Sequence, residues 1–426
     1  FFSAMPEPAP SSSSISGAPG NSLLNGNQAW DEFVAKRGQQ ATSLQDFDLG
    51  RTIGKGRYAR VRLAKLKEHQ DLPICLKILK KDEVAKLQQT EHVINEKNVL
   101  TSIQSPFVIR VLRTFQDPRC LYIAMELVNG GELFTLLRAQ KKFSEDASRI
   151  YAAEVASAID HLHSMLIVFR DLKPENILVH QSGHLKLTDF GFAKYLRDGK
   201  THTVCGTSEY MAPEIVQKKP YGLPVDWWSL GVLVYEMING KSPFNAPEED
   251  TTLSLVLAAR VTYSAAMSKP ATDFCSRLMQ KMPKQRLGSP ELVARGQTVM
   301  GHSFFKGIDW GDVEHGRLQP PFLPEAGGAT ENFEEFEESV DTGDAPSEQV
   351  FNDWDIATNF AEEGRRRAKE LEAMRQDLAK SQASKQTEAQ QEAIREMEEK
   401  KKMQEASEAT QQAAPEKPCK PSSPCC

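Results

Sequence analysis

The sequence predicts an α+β chain in two lobes, a small β-rich one followed by a larger helical one. Residues 47 to about 80 run as short β-rich stretches separated by turn residues, and 107–128 repeat that pattern around Asp117-Pro118. From about residue 132 onward helical periodicity dominates. With 40% hydrophobic residues in a chain of 426, there is apolar material for a sizeable core. A cleft between two such lobes is a natural place for a ligand.

Taken in order, residues 1–28 are rich in Ser, Pro, Gly and Ala and cannot build a core, so disorder is expected there. The start lacks a basic region and a long apolar run, so no signal peptide is expected; Phe1 fits either a fragment or a start at Met5. Over 29–46, Trp30, Phe33 and Val34 share one face of a short helix that leads through a linker to Phe47. Residues 91–103 read as one helix within the β-rich lobe. Between Arg317 and Arg365 there is no Lys or Arg, while Phe333, Phe336, Phe351 and Trp354 recur among acidic residues. That pattern suits an extended tail strapped to a domain. Residues 361–414 lack Pro and aromatics and carry few large apolar side chains, among them Leu371, Leu378 and Ile394. A long polar helix is expected, either solvated or paired in a sparse coiled coil. The end, 415–426, is a Cys- and Pro-rich tail expected to be disordered.

A net charge of -6 argues against general binding to nucleic acid or an anionic membrane, though it suits basic substrates. The seven cysteines recur in no metal-ligand spacing, which points to a reducing compartment, cytoplasmic or nuclear. No run of 18 apolar residues is present.

Four motifs carry chemistry. In Gly54-Lys55-Gly56-Arg57-Tyr58-Ala59-Arg60-Val61, two glycines in a hairpin let backbone amides approach phosphate oxygens. A dinucleotide-binding loop would need a helix next, and Val61-Arg62-Leu63-Ala64 continues as strand. In Ile74-Cys75-Leu76-Lys77, a Lys closing an apolar strand needs a partner for its charge, and Glu96 on the following helix can supply one. A snorkelling surface Lys is the plainer alternative. The decisive run is Phe169-Arg170-Asp171-Leu172-Lys173-Pro174-Glu175-Asn176, followed by Thr188-Asp189-Phe190-Gly191. Asp171 can orient a hydroxyl and accept its proton, Lys173 can neutralise a moving phosphoryl group, and Asn176 and Asp189 offer hard oxygens to Mg²⁺. A single Asp here could cap a turn; the whole ordered set is not explained that way. Finally, the segment from Thr201 to Tyr210, before Ala212-Pro213-Glu214, sits where an activating phosphate would attach, on Thr203. Arg170, Lys194 and His92 are the candidate cations for that phosphate.

On these residues the chain resembles the AGC protein kinases, in their cyclic-nucleotide-regulated branch, from about Trp30 to Phe360. Val225-Asp226-Trp227-Trp228-Ser229-Leu230-Gly231 belongs to the same pattern. The catalytic region is similar to cyclic-AMP-dependent kinases. Gly307-Ile308-Asp309-Trp310, Leu318-Gln319-Pro320-Pro321 and Trp354-Asp355-Ile356 look more like cyclic-GMP-dependent ones. The resemblance implies a bilobal kinase fold over 47–305, with a small antiparallel β lobe plus one helix, a mostly helical lobe, and an AGC tail over 306–360. It implies MgATP as cofactor, with nucleotide contacts from Ile53, the loop 54–59, Val61, Lys77, Glu126, Val128, Glu132 and Phe333. It implies Ser/Thr phosphorylation in basic contexts, read by Glu132, Glu175, Glu209 and Glu236, with Val204 and Met211 lining an apolar pocket for the next residue. Glu214 and Arg286 are expected to pair internally, and Phe351-Asn352-Asp353-Trp354 to dock on the small lobe.

About 45 residues precede the catalytic region, too few for a cyclic-nucleotide-binding domain, so regulation by a separate subunit is expected, unless the start is truncated. Three departures stand out. Ala59 replaces a loop glycine, Cys75 stands where Ala is usual, and Ser208 where Pro is usual. None removes a catalytic group, which disfavours a pseudokinase or scaffold working through the 361–414 helix. Cys425-Cys426 resembles doubly prenylated termini; membrane attachment is expected only if these cysteines carry lipid, and an unmodified tail is the plainer alternative.

Overall fold

The structure, a computed structural model, describes residues 42–324 apart from 57, 197 and 198, together with 336, 351, 353–355 and 373. Arg57, Phe333, the helix expected over 29–41, the polar segment 361–414 apart from Ala373, and the Cys-rich end lie outside the described residues. The chain divides into two compact units, Phe1–Arg367 and Ala368–Cys426. All the elements labelled here belong to the first.

Five strands, β1 (Phe47–Lys55), β2 (Ala59–Leu66), β3 (His69–Lys80), β4 (Val111–Gln116) and β5 (Cys120–Glu126), form an antiparallel sheet in the order β1-β2-β3-β5-β4. Strand alternation sorts β3 cleanly. Ile74, Leu76 and Ile78 face a core with Phe47, Phe115 and Tyr122, whose rings stack at 5.5 and 4.7 Å. Cys75 and Leu79 join the larger core on the other face. Lys77 shares their parity, so its side chain leaves the sheet on the face that looks toward the second lobe.

The small lobe holds two helices where one was expected: α1 (Lys81–Lys86) precedes α2 (Thr90–Ser102). Six residues are too few to display a 3.6-residue period. What holds α1 is Val84, which is buried, with Asp82 and Glu83 in the first turn and Lys86 in the last, matching the helix dipole.

The second lobe is built on α3 (Leu133–Gln140), α4 (Glu145–Ser164), α5 (Pro213–Val216), α6 (Pro224–Asn239), α7 (Glu249–Ala258), α8 (Lys269–Leu278), α9 (Pro290–Val293) and α10 (Trp310–Glu314). Ser144 and Ser268 accept hydrogen bonds from Ala147 N and Ala271 N and so start α4 and α8. Helix α6 is apolar all round and runs through the core. On it, a Cβ at Gly231 would lie 2.9 Å from both Leu278 Cβ and Met279 Cγ, so only glycine lets α6 and the end of α8 approach this closely. Arg286 is fully buried and forks onto Glu214 at 2.7 and 3.0 Å, with the Pro224 carbonyl at 2.9 Å. This is the expected internal pair, and it locks α5 to the loop ahead of α9. Two short antiparallel pairs, β6 (Ile167–Val168) with β9 (Lys194–Tyr195) and β7 (Ile177–Val179) with β8 (Leu185–Leu187), hold the loops of the cleft floor.

The tail residues Phe351 and Trp354 are buried on the small lobe. Trp354 Nε1 donates to the Tyr122 carbonyl at 3.2 Å, and the Trp354 carbonyl accepts from Thr114 Oγ1 at 2.8 Å. Lys97 on α2 donates to the Asp353 carbonyl at 3.1 Å, which ties the tail to that helix. Among the described residues no helix is long and apolar enough to cross a membrane.

Candidate active site

The floor of the site is the loop 169–176. Asp171 is buried, and its carboxylate is surrounded by donors. Asn176 Nδ2 reaches Oδ2 at 2.8 Å, Lys173 Nζ stands at 3.1 Å from the same oxygen, and Thr207 Oγ1 donates to Oδ1 at 3.0 Å. Lys173 also reaches Thr207 Oγ1 at 2.8 Å. These donors fix the direction of the carboxylate.

Asp226, at the start of α6, holds this loop from beneath. It accepts from Phe169 N at 2.9 Å, Arg170 N at 2.8 Å and His163 Nε2 at 2.8 Å, with no exposure of its own. Arg170 can therefore keep a positive φ of 74°, which costs a non-glycine residue and needs such a grip. Asn176 spends its amide on Asp171, which leaves Oδ1 as its oxygen for a cation. Thr188 N donates to the Asn176 carbonyl at 3.0 Å, bringing Asp189 alongside. Asp189 is exposed to the cleft, in a left-handed backbone conformation at φ 57°. Two oxygen ligands beside an open cleft fit Mg²⁺, which fills its other positions with phosphate oxygens and water. Phe190 anchors this segment, buried edge-on against Phe169 at 5.0 Å.

Across the cleft, Lys77 pairs with Glu96 on α2, whose carboxylate is 4% exposed. Burial pulls the Lys77 ammonium down, but Glu96, Asp189 and Tyr58 outweigh it and hold it above its ordinary value. The pair is intact, and α2 is further fixed by Asn95 Nδ2 on the Ala193 carbonyl at 2.7 Å. Snorkelling is ruled out for Lys77, since its side chain is only 17% exposed.

In the β1–β2 turn, Gly56 N donates to the Ala59 carbonyl at 2.8 Å. A Cβ added at Gly54 or Gly56 would meet nothing closer than 3.5 Å, and neither has a positive φ. The protein's own packing leaves space at both positions, room in which an outside group can approach the backbone closely. Tyr58 bears on Lys77 and Glu96; burial first and then Glu96 raise its phenol pKa. Ile53 and Val128 are buried at the cleft, and Val61 packs against the same core. The Glu126 carboxylate takes Lys186 Nζ and Arg110 N, each at 2.7 Å, so a nucleotide contact there is left to its main chain. Cys75, opposite Met125 on β5, is a buried free thiol pushed up to about 12 by burial and by Glu126.

The acidic residues meet below the 201–211 segment. Glu236 is buried, and burial raises its pKa, with Glu209 and Glu175 adding to the rise. Its oxygens are taken by Tyr210 Oη and, at 3.0 Å, by Arg138 Nη2. Glu209 accepts from Asn245 Nδ2 at 3.0 Å. Glu175 differs: its Oε2 is buried and has no hydrogen-bond partner among the described residues. Glu132 stands at the N-cap position of α3, without a side-chain cap bond, and its backbone bridges to Leu178. Val204 is 47% exposed while Met211 is buried beneath Gly206. Ser208 donates to Glu249 on α7, an anchorage that Pro could not make.

Thr203 has an exposed side chain, and its carbonyl accepts from Tyr221 Oη. Arg170 reaches Tyr221 Oη at 3.2 Å and Lys194 reaches Thr201 Oγ1 at 3.1 Å, so both cations lie beside this segment. His92 instead bonds Gln89 within the small lobe. Sequence reasoning gave no role to Thr207, Arg138, Tyr210 or Asp226. The one available signal was Asp226 within its apolar helix, a buried acid that had to have partners.

Residues 47–305 match the family model described as a protein kinase domain. Over 317 residues the chain is 42% identical to the human cAMP-dependent protein kinase catalytic subunit PRKX, covering 74% of this chain and 84% of that protein. The Drosophila melanogaster cAMP-dependent protein kinase catalytic subunit 3 is 42% identical over 327 residues, 75% of this chain and 55% of that one. The Saccharomyces cerevisiae cAMP-dependent protein kinase type 3 is 40% identical over 299 residues, 70% of this chain and 74% of that one.

Proposed function

The chain belongs to the protein kinase family, as a Ser/Thr kinase of the cyclic-AMP-dependent catalytic type, and from that premise we propose that it transfers the γ-phosphate of MgATP to hydroxyls preceded by basic residues. The observation that carries the reading is the Asp171 carboxylate, gripped by Asn176, Thr207 and Lys173, with the Lys77–Glu96 pair facing it across the cleft.

Lys77, held by Glu96, fixes the α- and β-phosphates. Asn176 and Asp189 would hold Mg²⁺, which neutralises phosphate charge when bound. Asp171 orients the substrate hydroxyl. As the new O–P bond forms and the bond to the ADP oxygen breaks, Asp171 takes the proton. Lys173 stands beside it to offset charge on the moving phosphoryl group.

Preference for basic residues rests on Glu175, whose buried Oε2 has no donor among the described residues; an arginine side chain of the substrate supplies one. The human and Drosophila relatives named above are catalytic subunits by name, and the reading extends to a separate cyclic-nucleotide-binding chain as regulator. The test is phosphate transfer to a peptide with two arginines ahead of its serine, by protein phosphorylated on Thr203. Transfer is expected, with Asp171→Ala abolishing it. No transfer above that variant refutes the enzyme reading, and equal rates on a peptide without arginines refute the basic preference.

A further inference from the structure

Away from the cleft, on the second lobe, a concavity of about 420 Å³ is lined by Arg277, Lys284, Gln285, Glu291, Leu292, Arg295 and Gln297. Its walls come from the last turn of α8, the turn Pro283–Gln285, and α9 with the loop after it. Three cations face one carboxylate there, in a chain whose net charge is -6. Among the described residues none of these cations has an ion-pair partner; Arg277 spends one nitrogen on Gln297 Oε1 at 2.6 Å, a bond that spans the concavity.

The walls are fixed before any ligand arrives. Arg286, next to Gln285, is fully buried and held by Glu214 and by the Gln280 and Pro224 carbonyls. Ser289 Oγ donates to the Lys284 carbonyl at 3.1 Å, and Leu287 N to the Arg277 carbonyl at 2.9 Å. Three cations thus share one carboxylate, Glu291, on a fixed backbone frame, an excess of positive charge that an anion relieves.

We propose that this concavity binds a compact organic molecule carrying two or more phosphate groups. Two guanidinium forks match phosphate oxygens bidentately, and Lys284 adds a point charge. The Gln285 and Gln297 amides supply further donors. Leu292 gives the scaffold an apolar wall. The volume lies within the range of small-molecule sites and exceeds what one phosphate needs. An extended nucleic acid would call for a stripe of cations along a face, whereas here they converge on one hollow.

Inositol hexakisphosphate serves as probe, titrated calorimetrically into the full chain at about 0.15 M salt, an ionic strength that screens diffuse surface attraction. One molecule is expected to bind per chain and to raise the melting temperature. Arg277→Gln and Arg295→Gln should each weaken binding at least tenfold, as should Lys284→Gln, which changes only an exposed side chain. A Lys65→Gln/Lys67→Gln pair at the end of β2 and in the turn after it should leave affinity unchanged. Absence of saturable binding overturns the proposal. So does equal weakening by the β2 pair, binding of several molecules per chain, or displacement of the probe by MgADP, which would place it in the nucleotide cleft.

Discussion

Glu175→Gln isolates the acidic residue of the proposed substrate-reading set whose Oε2 has no hydrogen-bond partner among the described residues. Glu236 is a poor choice, because its removal would strand Tyr210 and Arg138 as well as alter the site. Glu175 has no such dependants: its Oε2 is buried without a partner, so the change keeps shape and removes only charge. A hydrogen bond from a cation to a desolvated carboxylate contributes about 1.5–3 kcal/mol. Its loss should lower kcat/KM for an arginine-bearing peptide by roughly 10- to 150-fold. For a peptide with alanine in place of arginine the rate should scarcely change. The assay is a double-mutant cycle crossing enzyme (wild type, Glu175→Gln) with peptide (Arg, Ala), read as kcat/KM. Coupling above about 1 kcal/mol supports the argument, and coupling within about 0.5 kcal/mol of zero, the scatter of independent sites, refutes it. Because Glu175 also raises the Glu236 pKa, the variant should be no less stable to heat than the wild type.

Three further changes probe the frame of the site. In Glu96→Gln, burial is no longer outweighed at Lys77, so its pKa should fall below the ordinary value; a kcat/KM profile should lose its alkaline limb at lower pH than the wild type, with activity down by about two orders of magnitude or more, since the buried ammonium loses ~3 kcal/mol of compensation. Trp354→Ala removes a buried indole and should cost about 3–5 kcal/mol in denaturant unfolding; through Lys97 on α2 it should also raise the KM for ATP. His180, in the β7–β8 turn, is lowered from 6.5 to about 4 by burial, then by Lys186 and His184. Between those values the unfolded chain binds a proton that the folded chain does not. Its contribution is therefore complete above about pH 6.5 and is lost as pH falls toward 4, by at most about 3 kcal/mol less solvent screening. His180→Gln should flatten the drop in stability between pH 7 and pH 5, measured by urea unfolding.

The parts of the candidate site that could be read in the sequence are those whose residues are neighbours along the chain. Asp171, Lys173 and Asn176 share one loop, and their spacing alone brought them together. Lys77 and Glu96 were legible because a buried ammonium needs a counter-charge and the next helix offered one. Thr207 was not, since it reaches Asp171 from 36 residues away and nothing local marks its hydroxyl. Helix α1 was missed for a different reason: six residues carry no period, and one buried valine decides them. The two glycines of the first motif became informative only once the packing around them was known, because space was left where a Cβ could have stood.

Asp226 joins these strands of argument. In the sequence it is an acid inside an apolar helix; in the fold it receives two consecutive backbone amides from the loop that carries Asp171. Those bonds oblige Arg170 into a positive φ, and that conformation turns its side chain to the Phe192 carbonyl at 2.6 Å and to Tyr221, which holds Thr203. The Asp171 carboxylate, the proposed base, and the candidate phosphosite are therefore set by adjacent residues of one strained turn, with α6 as the common support. Arg170 and the Thr203 carbonyl share the Tyr221 hydroxyl, so the charge of a phosphate proposed on Thr203 would be added beside the turn that carries Asp171. Position in the sequence separates these groups by 32 residues, and the buried carboxylate of Asp226 is what makes them one mechanical unit.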